Sequence, residues 1–439
     1  MSFPRYQRYK DSGVDWLGEV PAHWEVIPLK RLADFINGDA FKPTEWADSG
    51  TPIIRIQNLN GGEEFNYYDG EVESRYLVHD GDLLFGWSGN RGTSFGPFLW
   101  RRKEVCALNQ HIFRVVPLSV STQSLYWTLK AVTAHVEDQA HGIIGMVHIT
   151  KGDLGAINVP IPPEQEHRQL AIFLDQETAK IDALIEEQRR LIDLLKEKRQ
   201  AVISHAVTKG LNPDAPMKDC GVDWIGLIPQ HWEVSKLGQT ANIVRGGSPR
   251  PAGDSRFFNG DFMPWITVGE VTKDDSMYLV ATESMLTEVG AEQSRTIDSG
   301  TLVLTNSGAT LGVPKILGIT GCANDGILAF LDLNANANKK YLYFVLGSLT
   351  SELRERMKQG SGQPNLNTGI VSALQVPLPP VVEQLAIVAE LERMQDEFGA
   401  LMAQAETSVT LLQERRSALV SAAVTGKIDV RNYTSKEAA

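Results

Sequence analysis

From Glu166 the chain runs to Gly210 without a proline or glycine, and its seam positions recur by alternating steps of three and four: Ile181, Leu184, Gln188, Leu191, Leu195, Lys198 and Val202. Steps averaging 3.5 keep one stripe on one side of a helix, which is the seam of a coiled coil. The same register returns 217 positions later at Phe398, Leu401, Ala405, Ser408, Leu412, Arg415 and Leu419. Two long helices of matching register, each with a charged outer face, most simply pack on each other.

Elsewhere the pattern changes. Residues 27–158 and 235–375 are rich in Gly, Asn, Ser and Thr, with short β-prone runs such as "TPIIRIQNL", "GDLLFGWSG" and "GTLVLTNSG". Helical patches, "TQSLYWTLKAVTAHVED" and "KKYLYFVLGSLTSELRERMKQ", come after those runs in each stretch. Each stretch reads as a mixed domain of short strands and a few helices.

The chain also repeats itself. "DSGVDWLGEVPAHWEV" (11–26) and "DCGVDWIGLIPQHWEV" (219–234) are identical at eleven of sixteen positions. "VPIPP" (159–163) returns as "VPLPP" (376–380), and "LLKEKRQAVISHAVT" (194–208) as "LLQERRSALVSAAVT" (411–425), identical at nine of fifteen. A repeat unit this long is a whole domain. Within the variable stretches, Ser88 and Gly89 fall opposite Ser307 and Gly308, and Gly145 and His148 opposite Gly362 and Asn365.

The predicted fold class is therefore α+β: two mixed α/β domains of short strands, two long helices that pack on each other as a coiled coil, and an internal two-fold repeat. The expected divisions are 1–158 (with 1–26 in the shared framework), 159–210 for the first helix, 211–375 for the second domain, and 376–439 for the second helix and tail. A helix of about 30 residues spans roughly 45 Å, on the scale of the ~34–36 Å between half-sites in two-fold DNA readers.

Composition narrows the chemistry. With 439 residues, 42% hydrophobic and 22% charged, the chain is a globular protein with room for two domains. No apolar run is long enough to cross a bilayer, and the N-terminus carries no apolar signal core. Cys106, Cys220 and Cys322 fit neither a disulfide framework nor a zinc site, which suggests a cytoplasmic location. A net charge of −12 argues against unaided, non-specific nucleic-acid binding and for partner-shared or local contact. "SGATLGVPK" has the wrong spacing for a phosphate loop, "GSGQPN" lacks a third glycine, and the histidines form no metal pattern. The proline pairs sit where helices begin. His23, Trp24, His231 and Trp232 are expected to pack the repeated phrase against the helices. The chain is expected to catalyse nothing alone, and to hold no cofactor or metal.

What remains are polar loops. "WSGNRGTSFG" and "RGGSPRPAGDSR" combine small residues with Arg and hydrogen-bonding side chains, suited to backbone approach and to bidentate reading of guanine; Asn and Gln can read adenine likewise. The candidate DNA contacts are Gln57, Asn58, Ser88, Asn90, Arg91, Thr93 and His148 in the first stretch. In the second they are Arg245, Ser248, Arg250, Thr267, Asn306, Ser307, Gln363, Asn365 and Asn367.

The twin phrases, the "VPIPP"/"VPLPP" stops with their adjoining "EQ" and "VVEQLAI", and the two helix endings together resemble the specificity subunits of type I restriction–modification systems. The resemblance covers essentially the whole chain. It implies a non-catalytic reader of double-stranded DNA whose variable stretches are target recognition domains, one per half of a bipartite, asymmetric site. It also implies that the two helices form an antiparallel coiled coil within a near-circular repeat, serving as ruler and as docking surface for two methyltransferase subunits. S-adenosylmethionine, ATP and Mg would belong to those partners and to restriction (translocase and endonuclease) subunits, with no membrane involved. Two other readings stay open: a single-chain restriction–methylation enzyme, and a coiled-coil interaction protein whose variable domains bind protein or glycan ligands.

Overall fold

The computed structural model describes residues 3–140, 146–308, 310–357 and 366–433. It divides into two compact units: residues 1–189 with 406–439, and residues 190–405. The division runs through both long helices and not at their ends, because each half of a helix packs on the domain beside it.

Among the described residues the four long helices are α1 (Thr122–Gln139), α2 (Glu164–Lys209), α3 (Lys339–Met357) and α4 (Val381–Val424). In the first unit the start of α2 packs near the end of α4. Arg416 there holds the Asp182 carboxylate with two contacts, 2.8 and 3.1 Å. Leu170, Phe173 and Leu174 share one apolar cluster with Val420, Ala423 and Val424. In the second unit the end of α2 lies against the start of α4, with Ile203, Val207, Ile387 and Leu391 in one cluster. Start against end in both units is antiparallel packing.

The seam is displaced from the expected register. Ile181, Phe398 and Ala405 are buried, and Leu195, Val202, Leu412 and Leu419 are half-buried. Leu184, Leu191 and Leu401 instead face solvent, 47%, 42% and 49% exposed. The buried positions beside them are Ile185 and Ile192, with Met402 half-buried. A four-then-three walk from Ile181 selects the isoleucines where a three-then-four walk selects the leucines; β-branched residues fill a close-packed helix seam with few rotamers.

The two variable domains share one topology. In the first, strands Gly96–Leu99, Leu83–Gly86, Ile112–Pro117 and Ala33–Asn37 lie side by side in that order, all antiparallel. In the second, Pro314–Leu317, Leu302–Thr305, Ile327–Leu331 and Asn242–Arg245 do the same, with Tyr278–Leu279 added parallel at the edge. A second four-stranded sheet in each domain carries a parallel central pair: Thr51–Ile54 with Cys106–Leu108, and Phe258–Ile266 with Gly321–Ala323. That one topology carries two weakly related sequences reflects how many apolar residue sets can fill one sheet pattern.

The prolines do more than open helices. Asn158–Ile161 pairs antiparallel with Glu25–Pro28, and Gln375–Leu378 with Glu233–Lys236. The repeated phrase and the proline stop thus close each variable domain at its base. The phrase itself is clamped to the helix that comes after the stop. His23 Nε2 lies 2.8 Å from Glu166, and Trp24 Nε1 donates to the same carboxylate at 3.0 Å. His231 and Trp232 meet Glu383 at 2.6 and 2.9 Å. The near-circular order also holds locally: after α4, Lys427 Nζ donates to the carbonyls of Leu17 and Glu19 at 3.1 and 2.6 Å.

Candidate nucleic-acid interface

Equivalent backbone contacts place one face on each domain. In the first, Ile149 N–H donates to Trp87 O at 3.0 Å; in the second, Leu366 N–H donates to Asn306 O at 2.7 Å. Each closes a loop of the first sheet against the chain emerging before the helix start. This supports the alignment of Ser88 with Ser307 drawn from the repeat.

On the first face, Ser88–Asn90 pairs with Met146–His148, setting Ser88 opposite His148. His148 is exposed and meets the Trp87 ring edge-on at 4.9 Å, while the exposed His111 tilts against the same ring at 5.5 Å. Trp87 is fixed by its indole N–H, which donates to Gln110 O at 3.0 Å. The loop beyond is exposed at Asn90, Arg91 and Thr93. The carbonyl of Asn90 accepts the N–H groups of Thr93, Ser94 and Phe95, which makes the loop a tight, self-bonded turn. Carboxylates from the end of α1 hold it: Glu137 accepts from Gly92 N–H at 2.8 Å, and Asp138 lies 3.3 Å from the Arg91 guanidinium. Gln57 is exposed on a one-turn helix. Asn58 is a correction: it is buried, its Oδ1 accepts from Arg55 N–H, and its Nδ2 donates to the carbonyls of Gly62 and Glu64. Both amide hydrogens are spent on the loop, so none is left for a base.

On the second face four expected residues converge on one that sequence reading missed, Asp325. Ser248 Oγ donates to its carboxylate at 2.6 Å and Arg250 at 3.0 Å. Its carbonyl accepts from Arg245 Nε at 2.6 Å and from Asn306 Nδ2 at 3.3 Å. The Ser248 hydrogen bond holds the Asp325 carboxyl below the usual carboxylate range against the opposing effect of burial; Arg250 and Arg245 add to it. Arg250 is 68% exposed and uses one of its five N–H groups here, so the fork is oriented and still open to a ligand.

Asn306 is also a correction, since it is fully buried beneath this face and shapes the loop without reaching a base. Ser307 is half-buried beside it. Thr267 and Asn367 act as helix caps, accepting from Glu270 N–H at 3.3 Å and Ile370 N–H at 2.9 Å. Gln363 and Asn365 lie outside the described residues. Of the missed members, Gln110, His111 and Asp325 lie in the turn before the strand that follows each parallel pair, which begins at Ile112 in one domain and Ile327 in the other, while Trp87 opens the loop "WSGNRGTSFG". Among the described residues no cluster of His, Cys, Asp or Glu is arranged for a metal, and no helix is long and apolar enough to cross a membrane.

The model of the type I restriction modification DNA specificity domain matches this chain twice, over residues 21–193 and 229–410. The chain is 22% identical over 436 residues to the type I restriction enzyme MjaVIII specificity subunit of Methanocaldococcus jannaschii, across 94% of this chain and 95% of that protein. It is 21% identical over 439 residues to the type I restriction enzyme EcoKI specificity subunit of Escherichia coli, across 94% and 90%. A structure solved for complex assembly and conformational transition of the type I R-M system is similar with a TM-score of 0.67 at 16% identity, across 92% of this chain and 98% of that one. At that identity the likeness speaks for the fold.

Proposed function

Because the chain belongs to the family of DNA specificity subunits of type I restriction–modification enzymes, which are themselves non-catalytic, we propose that it reads a bipartite, asymmetric target, one half-site per variable domain. The observation that carries this reading is the pair of faces. The same backbone frame presents Trp87, His111 and His148 in one domain and Arg245, Arg250 and Asp325 in the other. Equivalent position with different chemistry is what two different half-sites require.

The coiled coil would fix the spacer between half-sites and dock two methyltransferase subunits. Those partners would supply S-adenosylmethionine and methylate a flipped adenine, while restriction subunits would supply ATP- and Mg-dependent translocation and cleavage, all in the cytoplasm. The direct test is binding of short duplexes by the chain co-expressed with its methyltransferase. A duplex carrying both half-sites should bind far more tightly than one with either half scrambled. Equal binding of all three would overturn the proposal.

A further inference from the structure

We propose that a cavity in the N-terminal unit, beside α1, binds a phosphate of the DNA backbone. This rests on reading the chain as a DNA reader. The cavity is about 340 Å³, and Phe98, Trp100, Arg101, Arg102, Tyr126 and Lys130 line it. The chain has 54 acidic against 42 basic residues, yet none of the cavity's lining residues is acidic.

Among the described residues its three cations, Arg101, Arg102 and Lys130, have no carboxylate in contact, although Glu137 and Asp182 act on Lys130 from farther off. Two of them are held instead by aromatic faces: Arg102 stands 4.9 Å from the Phe65 ring centre, and Lys130 stands 5.5 and 5.4 Å from those of Phe98 and Tyr126. Burial, with Arg416 nearby, pushes the Lys130 ammonium down to about 8. A cation so placed gains from an incoming anion. Trp100, only 4% exposed, lines the cavity as well, and among the described residues its indole N–H has no hydrogen-bond partner. A buried donor left open and three neighbouring cations form a built site for a tetrahedral oxyanion.

The rim identifies the source. Arg101 and Lys103 are exposed on the turn after strand Gly96–Leu99. With the exposed Glu104 beside Lys103 they still leave a net positive rim outside the cavity, which suits a polyanion that runs past and not a small ligand that is swallowed.

The experiment uses the full chain co-expressed with its methyltransferase. Affinity for target and scrambled duplexes is measured across salt for the parent, Arg101→Gln, Lys130→Gln and the double variant. The double variant should bind both duplexes roughly tenfold more weakly and flatten the salt dependence by about one to two charges, since each phosphate contact contributes a slope near 0.9. The methylated motif should not change. Lys130→Arg should retain most of the affinity. Because Arg101 is exposed, its single variant keeps the test open if the double variant fails to fold.

Unchanged affinity and slope in folded variants overturn the proposal. Loss of pyrophosphate binding with DNA binding intact, monitored by titration calorimetry, assigns the cavity to a free phosphate compound and overturns the DNA source. A parent complex that does not distinguish target from scrambled DNA fails as a reader, a result separate from failure of the cavity.

Discussion

Trp24 and Glu166 stand 142 positions apart and are joined by a 3.0 Å hydrogen bond that ties the repeated phrase to the first long helix. The same carboxylate takes Tyr6 Oη at 2.6 Å and His23 at 2.8 Å. That contact and burial raise the Tyr6 hydroxyl well above its usual value, burial being the larger cause. Glu383 repeats the clamp for His231 and Trp232 but is 42% exposed where Glu166 is 7%. Glu166→Ala strands the buried Tyr6 and Trp24 donors and should destabilise the N-terminal unit by about 2–4 kcal/mol. Glu383→Ala should cost clearly less. Denaturant unfolding of the two variants checks the order.

His167 predicts an acid sensitivity. Burial pushes its imidazole down to about 4, below the ~6.5 of an unfolded chain. Between those values the unfolded state binds a proton that the folded state refuses. The stability from neutral His167 is therefore complete above pH ~6.5 and is lost as pH falls toward 4, up to about 3 kcal/mol. Its counterpart in the second repeat is Gln384, buried and bonded through its amide to Asn336 O and Pro379 O, both at 2.8 Å. His167→Gln should flatten the fall in stability between pH 7 and 4.5. A variant as acid-sensitive as the parent would contradict this.

Gly426 closes α4 with φ +72°, and a Cβ there would lie 2.3 Å from Pro21 Cδ. Gly210 closes α2 with φ +76°, where a Cβ would meet Trp232 at 3.1 Å. The left-handed backbone alone costs an Ala about 1–2 kcal/mol. Gly426→Ala adds a clash with the ring of a proline held in a strand, so it should lower the unfolding midpoint more than Gly210→Ala.

Asp325 orients Arg250 without covering it. Arg250→Ala should weaken the C-terminal half-site by about 1–3 kcal/mol and leave the other half-site unaffected. Asp325→Asn keeps the shape but drops the charge that orients the guanidinium, so it should relax discrimination at the same half-site by a smaller amount. Competition binding with single-base variants of each half measures both.

The framework was legible because it is written twice. Repetition located the phrases, the proline stops and the helices, and it placed Ser88 opposite Ser307. It did not show that Val159 and Val376 belong to strands, because a valine–proline run looks the same before a helix as at the edge of a two-stranded ladder. The seam slipped to Ile185 and Ile192 because leucine and isoleucine offer equally good stripes one position apart, and only packing chooses between them. Asp325 was invisible for another reason: Ser248 lies 77 positions away and Arg250 75. Only the sheet order brings them together. Asn58 looked like a reader because an amide's donors appear free until the loop that spends them is folded.

The most direct measurement is modified-base sequencing of host DNA carrying the parent gene, the Arg91→Ala and Arg250→Ala variants, and the deletion. One bipartite, adenine-methylated motif should vanish on deletion, with Arg91→Ala relaxing one half of it and Arg250→Ala the other. A motif that survives deletion, or two variants that relax the same half, would contradict one half-site per domain.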